Sequence, residues 1–186
     1  MPIINVDLIR GYSSAARQLL AERLTDACTS VIKAPADLVT VLVREVDGDN
    51  YMRGRTHRSP GPAHADQADV VRDYLAAMER RDLAAAEAFL APGFTMRFPG
   101  DRVFQQLAEL IEWGGTRYQS IGKSIERVDV CPAATGAVVY CYGTLHGRWP
   151  EGGEFSGIRF IDRFEVSDGL LVSQDVWNDL AEHRAA

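Results

Sequence analysis

Two regions of this chain carry residues suited to moving protons: the amino terminus, and an acidic position within a long apolar strand. Met1 is followed by Pro2, Ile3 and Ile4. Once Met1 is removed, Pro2 is a secondary amine on a ring of fixed φ. Such an amine accepts a proton near neutral pH when a dry pocket disfavours its charged form. The plainer account of a proline after methionine is that it marks methionine removal and nothing more. Asp162 lies in GIRFIDRFEV. Strand alternation puts Ile158, Phe160, Asp162, Phe164 and Val166 on one face. A carboxyl group in an apolar stripe is a candidate general acid or base. The competing account is a structural carboxylate paired with an arginine or a hydroxyl.

Further side chains are expected around the same interior. On residues 136–148, Val138, Tyr140, Tyr142, Thr144 and His146 share a face. Two tyrosines there can donate hydrogen bonds to a ligand oxygen, or simply stack as a cross-strand ladder. His146, close to the strand end, reads as a rim residue. On the last strand Gln174, Val176 and Asn178 are expected inside, because Leu170 and Val172 continue that face. A one-residue slip would put Asp175 and Trp177 inside instead. Trp113 either closes the cavity mouth or packs in the core.

The elements that must position these groups fall into two modules. Residues 55–66, RTHRSPGPAHAD, interrupt all periodicity and mark a linker. Before it, Ile3–Ile9 reads as a strand, with a helix cap at Ser13 or Ser14. Apolar residues then recur at helical spacing through Val31, and Ala34-Pro35 ends the helix. Leu38–Val46 is a β-branched strand. A strand–helix–strand order favours parallel pairing with a right-handed crossover. Two strands and one helix bury little, so module 1–54 is expected to assemble with copies of itself. Module 67–186 begins with a helix from Ala68 to Leu90, broken near Asp82. A short strand at Phe94–Phe98 and a helix at Val103–Trp113 follow. Four long strands are expected near 116–130, 136–148, 154–167 and 170–178. The pattern predicts an α+β domain with a curved antiparallel sheet around helices.

Composition narrows the function. The chain has 186 residues, 46% hydrophobic and 25% charged, with net charge −6. No nucleic-acid affinity is expected from that charge, and no apolar run of membrane-spanning length occurs. A signal-peptide pattern is lacking, and three cysteines (Cys28, Cys131, Cys141) show no CxxC spacing. A cytoplasmic protein with reduced thiols is expected. The four histidines form no metal-binding pair. No metal or other cofactor is expected.

The first module, on PIINVDLIRGYS, APADLVTVLVREV and DGDNY, resembles the 4-oxalocrotonate tautomerase family. The resemblance implies β-α-β units assembled into oligomers, with Pro2 as the proton-shuttling catalytic residue. It also implies Tyr51 as the aromatic wall of the pocket, and Ile9 as the position whose backbone N–H orders substrate or water. Tyr12 and Thr40 stand where that family has two carboxylate-binding arginines. Arg53, Arg10 or Arg55 would have to supply a cation from a displaced position, or else is a surface arginine. The second module, on VVRDYLAAMERRDLAAAEAFLAPGFTMRFPG and GIRFIDRFEVSDGLLVSQDVWND, resembles the SnoaL-like polyketide cyclases of the nuclear-transport-factor-like superfamily. That fold hosts many chemistries.

Two functions follow as expectations. One is an isomerase in which Pro2 takes a proton from a small enolisable carbonyl compound. Tyr51 shapes a dry site, Arg53 contacts the substrate, and Asp162 with Tyr142 acts in a second cavity. The other is a ligand-binding protein, or a SnoaL-like cyclase or isomerase, whose tautomerase module serves only for oligomerisation.

Overall fold

The computed structural model describes residues 1–184, and the chain divides into two compact units, Met1–Ala63 and His64–Ala186. In the first, β1 (Ile3–Ile9) and β2 (Thr40–Val46) pair in parallel, from Ile3 opposite Thr40 to Ile9 opposite Val46. Helix α1 (Ser14–Val31) connects them. The Ser13 side chain caps it, accepting from the Ala16 N–H at 3.1 Å. This satisfies one of the unpaired donors of the first turn. The expected strand start at Leu38 is instead a 3-10 turn over Ala36–Leu38. Pro35 fixes the local φ there, and β pairing begins two residues later.

A two-residue hairpin, β3 (Met52–Arg53) and β4 (Thr56–His57), extends the first unit into the proline-rich segment. Its turn residues Gly54 and Arg55 both have left-handed φ, 59° and 64°. That is the geometry tight hairpins favour. Gly11, at φ 141°, lies against Pro60, where an added Cβ would come within 2.7 Å of the ring. Ion pairs Arg44–Asp7, Arg17–Glu45 and Arg10–Asp47 lie along the sheet. No described residue of this unit is buried, and Ile3, Val31, Ile32, Leu38, Leu42 and Met52 are exposed.

The second unit holds every buried residue among those described. Helices α2 (Gln67–Glu79) and α3 (Leu83–Glu87) lead into β5 (Leu90–Phe98), then β6 (Arg102–Phe104) and α4 (Leu107–Gly115). Strands β7 (Ser120–Ala133), β8 (Gly136–Arg148), β9 (Glu154–Ser167) and β10 (Leu170–Asn178) follow, and α5 (Leu180–Arg184) is the last described element. The six-stranded sheet has the order β6-β5-β10-β9-β8-β7 and is antiparallel except where β10 pairs with β5. Tyr74 of α2 is fully buried between Phe94 and Phe164, edge-on to both.

Several element boundaries of this unit differ from the sequence expectation: the helical segment ends at Glu87 and β5 begins at Leu90, not Phe94. The fourth helix starts at Leu107 rather than Val103, because Val103 is drawn into pairing with Arg97. Residues 116–118 cap that helix instead of opening β7: the Thr116 N–H bonds the Trp113 carbonyl, and the Arg117 and Tyr118 N–H groups bond the Gly114 carbonyl, while the Gln119 N–H already bonds Arg148 of β8.

Candidate functional site

The alternation of β9 holds from Ile158 onward, with Ile158, Phe160, Asp162, Phe164 and Val166 buried; before it, an irregularity at Ser156 and Gly157 shifts the phase, and Phe155 is the buried residue. Asp162 has zero exposure, and its register partners are Cys141 on β8 and Val176 on β10. One carboxylate oxygen, Oδ2, is ion-paired with the Lys123 ammonium and accepts from Gln174 Nε2 at 3.1 Å. The other, Oδ1, is buried with no hydrogen-bond partner. An unpaired buried acceptor costs about 1–3 kcal/mol, more when charged, so this oxygen marks a place where a ligand donor or a transferable proton would be accommodated. Lys123 also lies 4.5 Å from the Phe160 ring centroid, a favourable placement of a cation on a π face. Tyr74 donates to Gln174 Oε1 at 3.4 Å, completing a Tyr74–Gln174–Asp162–Lys123 chain. Burial, and secondarily the Asp162 charge, push the Tyr74 phenol upward, so it stays a donor at all physiological pH. Burial and the same charge push the Cys141 thiol up to about 12.

Tyr74, Lys123, Asp162 and Gln174 line a cavity of about 110 Å³. Its apolar wall includes Leu75 and Met78 of α2, Leu110 and Trp113 of α4, Leu145 of β8 and Val176 of β10. An apolar chamber with a few convergent polar groups is the usual form of a small-molecule site.

The other expected residues are placed as follows. Gln174, Val176 and Asn178 do face the cavity, but not because Leu170 and Val172 continue their face. A bulge between Leu171 and Ser173 shifts the register, so Leu171 is buried and Val172 exposed. Tyr140 and Tyr142 require correction: the buried face of β8 is Ala137, Val139, Cys141, Gly143 and Leu145. The tyrosines lie on the opposite face, bonded to Arg163 and Arg127 respectively. Helix α2 packs against this strand. His146 is exposed and within 3.3 Å of the Ser124 hydroxyl. Trp113 does both things expected of it, lining the cavity and packing on Phe98 and Phe104.

In the first unit, Pro2 is half-buried and its carbonyl accepts from the Thr40 N–H at 3.0 Å. Ile9 is half-buried at the end of β1, and Tyr51 and Arg53 are exposed beyond β2. Met1 is 85% exposed.

Sequence reasoning missed Lys123 and Tyr74. The signal for Lys123 was present: the chain has two lysines against eighteen arginines, and Lys123 sits between Ile121 and Ile125 on an apolar face. A charge placed there needs a buried partner.

A long six-stranded sheet with helices packed against it, over an apolar chamber with a few polar groups, defines an α+β domain. The chain belongs to the SnoaL-like domain family, which it matches over residues 71–174. Residues 2–56 match the tautomerase enzyme family, so the chain is a fusion of a tautomerase-like module and a SnoaL-like domain. Among solved structures, an NTF2-like protein of unknown function from Burkholderia pseudomallei K96243 is 19% identical. The match covers 65% of this chain and 96% of that one, with a TM-score of 0.55. IdmH, a putative polyketide cyclase from Streptomyces antibioticus, is 15% identical over 65% and 97% of the two chains, TM-score 0.53. TerC, co-crystallised with polyporic acid, is 13% identical over 65% and 97%, TM-score 0.56. At these identities the likeness is one of fold. No curated protein matches the chain. Among the described residues, no helix is long and apolar enough to cross a membrane. Both matched families support an isomerase- or cyclase-like function in the broad sense.

Proposed function

We propose that the second unit is an acid–base catalyst acting on a small, hydrophobic, enolisable carbonyl compound, with Asp162 moving a proton at carbon. The observation that carries this reading is the state of the Asp162 carboxylate. Oδ2 is fixed by Lys123 and Gln174, while Oδ1 has no partner in a buried, otherwise apolar surround. A base must hold its lone pair free while its orientation is locked. Lys123 stands beside it as the cation able to stabilise enolate charge as it forms. Tyr74 acts through Gln174 and is a positioning residue.

The test is exchange of α-protons for solvent deuterium in an aryl ketone or oxo acid, followed by NMR. Asp162→Asn should remove exchange; retained exchange would end the proposal.

A second reading gives the first unit its own chemistry, with Pro2 as general base. It is favoured by one observation: this unit has no buried residue and exposes a broad set of apolar side chains. Such a module needs partners, and copies of itself would build walls around Pro2, Ile9, Tyr51 and Arg53.

A further inference from the structure

Arginines of the second unit are, as a rule, matched to carboxylates: Arg127 with Asp129, Arg148 with Glu154, Arg159 with Asp179, and Arg163 with Glu165 and Asp175. Four break the rule: Arg80, which is exposed and does not line the cavity, and three others. Among the described residues no carboxylate lies within ion-pair distance of Arg81, Arg102 or Arg117, although the chain carries 26 acidic residues and a net charge of −6. The three converge on one end of the cavity. Arg117 stacks 4.5 Å from the Trp113 centroid, and Arg102 lies 5.9 Å from it. Arg81 is hydrogen-bonded to the Tyr118 hydroxyl. Arg117, Arg81, Trp113 and Tyr118 all line the cavity.

Arg117 is the most confined of the three, half-buried where the others are exposed. Burial weakens its hold on its proton. Tyr118 opposes this, while Arg184 and Arg102 add to it. The acidic groups on the lining do not answer this charge. Asp162 is engaged by Lys123, and Glu79 lies by Gly122 and His146, where a Cβ on Gly122 would meet all of them. A partly desolvated guanidinium among like charges, with no counter-anion, is costly unless something outside the chain supplies one.

We propose that the cavity takes its ligand as a carboxylate, gripped by the Arg117 guanidinium, with the apolar body lying against Trp113, Leu110 and Phe160. A planar carboxylate matches the guanidinium fork in two parallel hydrogen bonds, a fit that a lysine does not reproduce. For the substrate class, the inference rests on the acid–base reading above: the carbonyl and its α-carbon then lie toward Asp162, which makes the ligand an aryl- or alkyl-substituted oxo acid. The carboxylate grip itself is independent of that chemistry.

The experiment compares phenylpyruvate with its methyl ester, binding to the full-length protein at pH 7 by tryptophan fluorescence, beside α-proton exchange by NMR. A hydrogen-bonded charge contact of about 1.5–3 kcal/mol corresponds to roughly 10–100-fold in affinity. The acid should bind tighter than the ester by that factor. Arg117→Ala and Arg117→Gln should erase the preference while leaving ester affinity unchanged, and Arg117→Lys should restore part of it. Trp113→Phe should remove the signal. Equal affinity for acid and ester overturns the inference. So does a preference that survives in both Arg117→Ala and Arg117→Gln, a signal that survives Trp113→Phe, or no binding of either probe at millimolar concentration. Asp162→Asn separates the two readings. A retained acid preference with lost exchange supports both; equal binding with lost exchange sinks only the carboxylate grip. Retained preference with retained exchange sinks only the acid–base role.

Discussion

Lys123 and Asp162 form their ion pair across an intervening strand. Lys123 is on the edge strand β7, opposite Leu145 of β8, while Asp162 is on β9, opposite Cys141. The lysine stem must therefore cross β8 between Leu145 and Cys141, where the inward position is Gly143. The pair ties the edge of the sheet to its centre through a buried charge contact.

Removing one member leaves the other without its charge partner. Lys123→Met should cost roughly 3 kcal/mol of stability, as loss of one member of a buried pair does. Asp162→Asn should cost less, since Lys123 is partly exposed and its ammonium can turn to water. Urea denaturation should rank the two in that order, and the double variant Lys123→Met/Asp162→Leu should recover part of the loss. The reverse order would mean that the pair is held mainly by solvent.

Gly143 is needed for a different reason. A Cβ there would run into the backbone carbonyl of Ser124 and the N–H of Glu126, at the bulge of β7 between Ile125 and Arg127. Backbone cannot swing aside as a side chain does. Gly143→Ala should lower stability by about 2–3 kcal/mol, read as a fall in Tm. A wild-type Tm would show that the bulge is free to move.

The Cys141 thiol is raised from 9.0 to about 12, first by burial and then by the Asp162 charge. A raised thiol pKa favours the protonated form in the folded state. This contribution is thus fully present below the unfolded value, and is lost as pH rises through the window from 9.0 to about 12. At pH 8, Ellman's reagent should label Cys28 and Cys131, which are half-buried and exposed, and reach Cys141 only in denaturant. Three fast-reacting thiols in the native protein would contradict this.

For the first unit, mass spectrometry of the purified protein should show Met1 removed. Pro2→Ala should abolish ketonisation of phenylenolpyruvate, an aromatic enol that needs no second carboxylate. A retained Met1, or unchanged turnover in the variant, removes Pro2 from consideration. Leu42→Glu, placing charge on a residue 48% exposed in the single chain, should lower the mass found by sedimentation equilibrium if copies pack there.

What could be read from the chain follows from how local each signal is. The face of β9 was legible because Arg159, Arg163 and Glu165 stand opposite Ile158, Phe160 and Phe164, so period two separates charge from oil. On β8 the same method fails. Val138, Tyr140 and Tyr142 are as apolar as Val139, Cys141 and Leu145, and only the helix packed against this strand decides which side is inside. The bulge at Leu171–Ser173 changes phase within a strand, which no fixed period can follow. Tyr74 carries no local sign of its role, because its hydrogen bond to Gln174 spans a hundred residues of sequence. The Asp162 carboxylate was visible as an anomaly, but its partner on a strand two places away was not.

In the assembly proposed above, the first unit, in which no described residue is buried, would borrow an interior from its copies. Whatever Pro2 does is then a property of an assembled population and not of a solitary molecule, and it should fade on dilution. The chamber around Asp162, closed within one chain, should not. A single polypeptide would thus carry one concentration-gated activity and one that is indifferent to concentration.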